Sequence, residues 1–160
     1  MSSPSVRPPH IHTLDRTECL RLLSAHEVGR IAYAFDDQVD IEPIHYLHSH
    51  GWLYGRTSEG AKLAAIAHNR WVAFEVDEVR GTFDWASVVV RGAFYRLASD
   101  GTPADRARWE RAVAAIRTLT PEAFGEGDPT PERSAVFRIH AGEVTGRAAR
   151  SAAGAGAPAA

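Results

Sequence analysis

The chain has 160 residues, with 18 lysines and arginines against 20 aspartates and glutamates, so its formal net charge is −2. This length suits one domain, and the balanced charge removes any general electrostatic attraction to nucleic acid or to an anionic membrane. The only cysteine, Cys19, excludes an intramolecular disulfide. No uncharged apolar run approaches the roughly 20 residues that span a bilayer, and the start carries no signal-peptide pattern. We therefore expect a single cytoplasmic domain without nucleic-acid or membrane partners.

The two ends of the chain differ in composition from the middle. Residues 1–12 contain three prolines and no apolar periodicity, which predicts an extended N-terminal arm. Asp15 and Glu18 then form a capping-box pattern before an apolar stripe and predict a short helix. The Ala/Gly-rich stretch at 148–160 lacks side chains able to hold a core and is predicted to be disordered. Residues 13–147 are therefore predicted to form a single folded domain between these two ends.

Alternating apolar and β-branched residues between turn signals predict six strands. These strands are expected at 28–35, 39–48, 52–55, 71–79, 85–98 and 134–140. A short helix at 58–69, with Thr57 or Ser58 as its N-cap, and a longer helix beginning near Pro103 accompany them. Because the edges of an open sheet need protection, these elements favour a mainly β fold, an antiparallel closed or partly closed barrel with a few flanking helices.

The stretch LYGRTSEGAKL at 53–63 joins a strand to a helix through hydroxyl and glycine residues. The amides of a helix's first turn and the helix dipole attract phosphate groups. Thr57 and Ser58 can donate hydrogen bonds to such a group, and Arg56 and Lys62 can balance its charge. The pattern matches neither a Walker loop nor the three-glycine dinucleotide fingerprint. It is equally the pattern of a capped helix with solvated surface charges.

Three segments together carry a resemblance to a known family. They are VGRIAYAFDDQVDIEPIHYLHSHGWLYGRTSEGAKLAAIAHNRWVAFEVDE at 28–78, WASVVVRGAFYRL at 85–97 and EVTGR at 143–147. The chain resembles the FMN-binding split-barrel proteins related to pyridoxamine 5′-phosphate oxidase, and within them the nitroimidazole-resistance (Nim-like) branch. The resemblance implies a six-stranded antiparallel split barrel that forms a homodimer, with FMN held in a groove between the subunits. It also implies an FMN-dependent oxidoreductase acting on an unidentified small molecule, with nitroreduction as one candidate activity.

The resemblance also implies roles for individual residues. Arg56 and Lys62 match the cations that bind the phosphate, with Thr57 and Ser58 as hydroxyl donors. The other implied cofactor-binding positions, near the flavin ring or at the C-terminal motif, are Pro43, Ile44, His45, Trp85, Ser87, Val88 and Arg147. The oxidase proper carries an arginine and a lysine in its second strand and a Ser-Arg-Lys run at the helix start. This chain has VDIEPIHY and EGAK there, so oxidation of pyridoxamine phosphate is not implied.

The histidines near residue 48 leave an alternative open. His45 and His48 would point to opposite faces of a strand, so they do not predict a metal site. A single histidine suffices to ligate haem, which makes a haem-binding or haem-degrading split barrel using His45 the main alternative. In a flavin enzyme His45 is instead the candidate catalytic acid. A flavin-binding protein without turnover and an interaction module with an empty groove are further alternatives.

Overall fold

The computed structural model describes residues 8–151, which contain nine antiparallel strands and three helices. The strands are β1 (His10–Leu14), β2 (Val28–Phe35), β3 (Gln38–His45), β4 (Leu47–Ser49), β5 (Trp52–Thr57), β6 (Trp71–Gly81), β7 (Asp84–Leu97), β8 (Ala135–His140) and β9 (Glu143–Arg150). The helices are α1 (Arg16–Ala25), α2 (Ala61–His68) and α3 (Pro103–Leu119). The strand order is β3-β2-β6-β7-β8-β5-β4, with β9 pairing with β7 and with β1. The sheet does not close, which confirms the predicted mainly β, split-barrel class. The predicted number of six strands is wrong, because β1 and β9 were not predicted and the stretch 39–48 contains two strands.

The long strand β7 is the junction of the barrel. Its first half pairs with β9 from Trp85 to Arg91, and its second half pairs with β8 from Phe94 to Leu97. The change of partner falls around Gly92, where an added Cβ would stand 2.0 Å from the backbone oxygen of His140. Only glycine allows this close approach of two backbones, so one strand can serve both halves of the split barrel.

Two apolar clusters hold the elements together. The larger one fills the barrel under α1 and includes Leu23, Ile31, Phe74, Val88 and Ile139. The smaller one lies between α3 and the outer side of β5 and β8, around Tyr54, Ala112, Val113, Ile116 and Val136. Both end helices begin as predicted: α1 has the capping box of Asp15 with Glu18, and α3 starts at Pro103 behind a Thr102 cap. Within the described residues, no helix combines the length and apolar character needed to cross a bilayer.

The strands predicted at 28–35 and 39–48 form a hairpin with a tight turn, but the second strand is shorter than expected. Asp36 and Asp37 both have positive φ and make a two-residue turn between β2 and β3. The prediction of one strand over 39–48 is wrong, because the chain leaves β3 at Tyr46. That side chain is buried and its hydroxyl donates to the Leu23 carbonyl at 2.6 Å, and burial raises the pKa of the Tyr46 phenol. This contact ties the β3–β4 corner to α1.

The domain limits differ from the predicted ones at both ends. β9 continues through Arg150, beyond the limit expected at residue 147, because Ala148 and Ala149 are small enough to be buried between β7 and β1. The last residues of the predicted arm, from His10, belong to β1 and pair with β9. The remainder of the predicted arm and tail, at 1–7 and 152–160, lies outside the described residues.

Candidate functional site

A cavity of about 490 Å³ opens between the end of β3 and the segment that joins β5 to α2. Its volume lies in the range of small-ligand sites. Seven of the predicted site residues line it together: Pro43, Ile44, His45, Arg56, Thr57, Ser58 and Lys62. Tyr33, Glu42 and Arg133, which were not predicted to be site residues, line it as well. The structure therefore places the predicted phosphate segment and the predicted ring-bordering strand around one space.

The start of α2 offers uncapped amides to this cavity. The sequence predicted that the strand ends at Gly55 and that Thr57 or Ser58 caps the helix, and both predictions are wrong. β5 continues to Thr57, which pairs with Ala135 of β8, and the helix begins only at Ala61, behind Gly60. Gly60 has a φ of 154°, a conformation that favours glycine, and it has no side chain to cap the helix. The amides of the first turn thus remain available to an anion.

Lys62 lies in the first turn of α2 and is already paired. Its Nζ donates to Oε1 of Glu42, which reaches across from β3. The Lys62 side chain is 13% exposed and that of Glu42 is 37% exposed, so the ammonium group is enclosed in the cavity wall while the carboxylate is also open to solvent. The predicted phosphate-binding cation is in place, and a carboxylate that the sequence analysis did not weigh compensates its charge.

Arg56 has a structural partner that limits its predicted role. Its Nη1 and Nη2 donate to the two carboxylate oxygens of Asp128 at 2.5 and 2.8 Å, and Nη2 also donates to Thr130 Oγ1 at 3.0 Å. The guanidinium lies 5.0 Å from the centroid of Phe124. The Arg56 guanidinium, together with the Thr130 and Phe124 amides, holds the pKa of Asp128 well below its usual range. The side chain touches the cavity, but its charge is neutralised by a bidentate pair that fastens the loop before β8.

His45 ends β3 and stands exposed between two cavities. A second cavity of about 220 Å³ shares His45, Arg56 and Arg133 with the larger one and extends toward α3. The neighbouring histidines are engaged elsewhere: His48 Nδ1 bonds Ser24 Oγ at 2.8 Å and His50 Nδ1 bonds Ser49 Oγ at 2.8 Å. Burial, aided by nearby positive charge, lowers the pKa of His48. In the part of the chain described, no cluster of three potential metal ligands forms.

The other predicted site residues lie apart from this cavity. Ser87 pairs with Arg147 across β7 and β9, and Trp85 stands two residues before it on the same face. Two strands, β2 and β6, separate β7 from β3, so these residues lie about 14 Å from the ring-bordering strand when the distance is measured along the sheet. The side chain of Val88 is fully buried in the barrel core, so its predicted contact with a cofactor is excluded for the side chain.

The comparisons with known proteins agree with this architecture. A curated, uncharacterized protein from Rhizobium meliloti strain 1021 is 30% identical over 147 residues, which cover 87% of this chain and 95% of that one. Among solved structures, an FAD-binding protein from Mesorhizobium loti is 30% identical with a TM-score of 0.70, covering 88% of this chain and 99% of its own. The FAD-binding protein from Mycobacterium smegmatis is 28% identical with a TM-score of 0.60, covering 86% and 98%.

A more distant structure supports the fold alone. A proposed 5-nitroimidazole antibiotic resistance protein from Bacteroides thetaiotaomicron has a TM-score of 0.67 at 16% identity, with 89% of each chain covered. The family profile described as pyridoxamine 5′-phosphate oxidase matches residues 15–148, most of the described chain. This match agrees with the split barrel and with the uncapped start of α2. The chain therefore belongs to the pyridoxamine 5′-phosphate oxidase family.

Proposed function

We propose that this protein is a flavin-dependent oxidoreductase that holds its cofactor in the cavity between β3 and the start of α2. The observation that carries the proposal is the convergence of Thr57, Ser58, Lys62 and the uncapped first turn of α2 on one cavity. Hydroxyl donors, free amides and an ammonium group are the groups that bind a phosphate. FMN is the flavin predicted from the sequence, and two relatives at 30% and 28% identity are described as FAD-binding. Both flavins carry the phosphate that these groups fit.

The residues of the proposed site have different roles. Thr57, Ser58 and Lys62 bind the phosphate, and the backbone of β3 at Pro43 and Ile44 borders the isoalloxazine ring. When bound, the flavin supplies the electron transfer. The exposed imidazole of His45, at the point where the two cavities meet, is placed to donate a proton to a substrate. The sequence resemblance to the nitroimidazole-resistance branch makes small nitroaromatic compounds the first substrates to assay. The cytoplasmic location is part of the proposal, in keeping with the free, buried Cys19.

The test of the proposal is the cofactor itself. Absorbance spectra are recorded before and after addition of FMN and of FAD, and the released cofactor is identified by mass. Flavin bands at a defined stoichiometry are the expected result. Anaerobic reduction of the bound flavin, followed by reoxidation with a nitroaromatic compound, then separates an enzyme from a flavin store. A Soret band that His45→Ala abolishes favours the haem alternative, and failure to bind either flavin contradicts the proposal.

We also propose a homodimer, with the site completed by its partner. On the outer face of the sheet, Ile41, Val79 and Val39 are more than 60% exposed, and the registers place them on the same side as Trp85. An exposed apolar face of this kind is typical of a subunit interface. Across a two-fold axis, the Trp85 and Ser87 strand of one subunit and its Arg147 can approach the flavin of the other, which they do not reach within one chain.

Placing a charge on this face is expected to separate the subunits. Ile41→Glu buries a carboxylate in the proposed interface and shifts the protein from dimer to monomer at micromolar concentration, as measured by light scattering coupled to size-exclusion chromatography. Ala114→Glu is the matched control, because it adds the same charge at an exposed position on α3. A variant Ile41→Glu that remains dimeric rules out this face as the interface.

A further inference from the structure

Glu42 is the unexpected group in the proposed phosphate site. It lies on β3, lines the cavity and accepts the hydrogen bond of Lys62, the cation best placed at the start of α2. A carboxylate beside a phosphate site is unfavourable, because like charges repel and because Lys62 must be shared. An anion that enters this cavity therefore competes with Glu42 for Lys62.

The other charges of the cavity do not remove this competition. Arg56 is neutralised by Asp128, and Glu59 is paired with Arg96 at the surface. Arg133 lines both cavities and makes no ion pair with another described residue. The cavity thus has one cation held by a carboxylate at the helix start, and a second cation at the opening shared with the smaller cavity.

The two flavins differ in how they distribute their charge. The terminal phosphate of FMN is a monoester and, like other phosphate monoesters, carries about −1.5 to −2 near pH 7. FAD carries one negative charge on each of two linked phosphates. The electrostatic repulsion exerted by Glu42 increases with the negative charge on the phosphate nearest to it. The repulsion is therefore stronger for the monoester of FMN than for either phosphate of FAD. Arg133 offers FAD a second cation for its second phosphate.

We propose that Glu42 is a specificity-determining residue, which penalises a dianionic flavin monophosphate more than a flavin diphosphate. This inference rests on the proposed function, because it concerns the phosphate site of the same cavity. It makes FAD the better-tolerated cofactor of the wild-type site, although the sequence resemblance points to FMN. It also assigns a role to a residue of VDIEPIHY, the segment that lacks the cations of the corresponding strand in the oxidase.

The experiment measures the affinity of the flavin-free protein for three named flavins. Riboflavin has no phosphate, FMN has a monoester and FAD has a diphosphate, and each is titrated by flavin fluorescence. Glu42→Gln keeps the size of the side chain and its ability to accept a hydrogen bond from Lys62, but removes its charge. The expected result is a gain of about tenfold in affinity for FMN, of about threefold for FAD, and no change for riboflavin.

Asp40→Asn is the matched control. Asp40 is exposed on the same strand, two residues before Glu42, and lines neither cavity, so loss of its charge should leave the ratio of FMN to FAD affinity unchanged. The proposal is overturned if Glu42→Gln leaves that ratio unchanged, or if riboflavin gains as much as FMN, which would place Glu42 at the ring or the ribityl chain. If no flavin binds to any of the three proteins, the proposed function fails as well, so the two failures are distinguishable. Thermal unfolding confirms that the variants fold.

Discussion

Replacing Lys62 by alanine is expected to weaken flavin binding by about 100-fold while the barrel remains folded. The substitution removes the ammonium group at the start of α2 and leaves the Glu42 carboxylate facing the phosphate without compensation. Both changes weaken the binding of an anion, so the loss of affinity should be larger than that caused by removing an isolated surface cation. Cofactor content after purification and titration of the flavin-free protein measure the effect, and thermal unfolding reports on the fold.

Two further variants separate charge from geometry at this position. Lys62→Arg keeps a positive charge beside Glu42 and is expected to retain most of the affinity. Combining Lys62→Ala with Glu42→Gln should recover part of the loss, since the two side chains are in contact and their effects are coupled. Unchanged cofactor content and affinity in Lys62→Ala would show that the phosphate binds elsewhere.

Replacing Arg56 by alanine is expected to lower the midpoint of thermal unfolding by roughly 10 °C. The Arg56 and Asp128 side chains are 8% and 3% exposed, and removal of the guanidinium leaves a carboxylate enclosed without its cation. Arg56 also holds Thr130 and packs on Phe124, so the loop between α3 and β8 loses its main attachment to β5. Differential scanning calorimetry measures the shift, and any loss of flavin follows from the disturbed loop.

The family resemblance implies a different role for Arg56, and the same variant decides between the two. A phosphate-binding cation would lower flavin affinity without changing the unfolding temperature of the flavin-free protein. The double variant with Asp128→Ala should regain part of the stability lost in Arg56→Ala, because it no longer encloses an unpaired charge. If the flavin-free Arg56→Ala protein unfolds at the same temperature as the flavin-free wild type, the structural role assigned to Arg56 is wrong.

Local patterns were predictable from sequence because neighbouring residues determine them. The Asp15 capping box, Pro103 at the start of α3 and the turn at Asp36 and Asp37 all form as expected. Lys62 and Ile44 line the same cavity, as predicted. That prediction came only from the family resemblance, which placed β3 beside the start of α2. Such features can be predicted because they depend on residues within one short segment or on a motif shared with the family.

The missed features depend on partners that are distant in sequence. Thr57 stays in a strand because Ala135 pairs with it, and no local signal at the Thr-Ser pair reveals that partner. Asp128 lies in a loop far along the chain from Arg56, so their pair cannot be predicted from either segment. Glu42 could have been suspected, since it stands in the segment that lacks the family's cations. Its contact with Lys62 still required the folded arrangement, in which α2 packs on β2 and its first turn comes beside Glu42 of β3.

The pairing of β1 with β9 affects how the molecule can be made. His10 pairs with Arg150, so the first strand of the described chain has its partner at the other end. At about 5–20 residues per second, synthesis delivers that partner only after all other strands, and an edge of the sheet stays open until then. Contacts this distant in sequence also slow folding. The newly made protein is thus most exposed to aggregation while β9 has not yet been synthesised, and expression at low temperature with abundant chaperones should raise its yield.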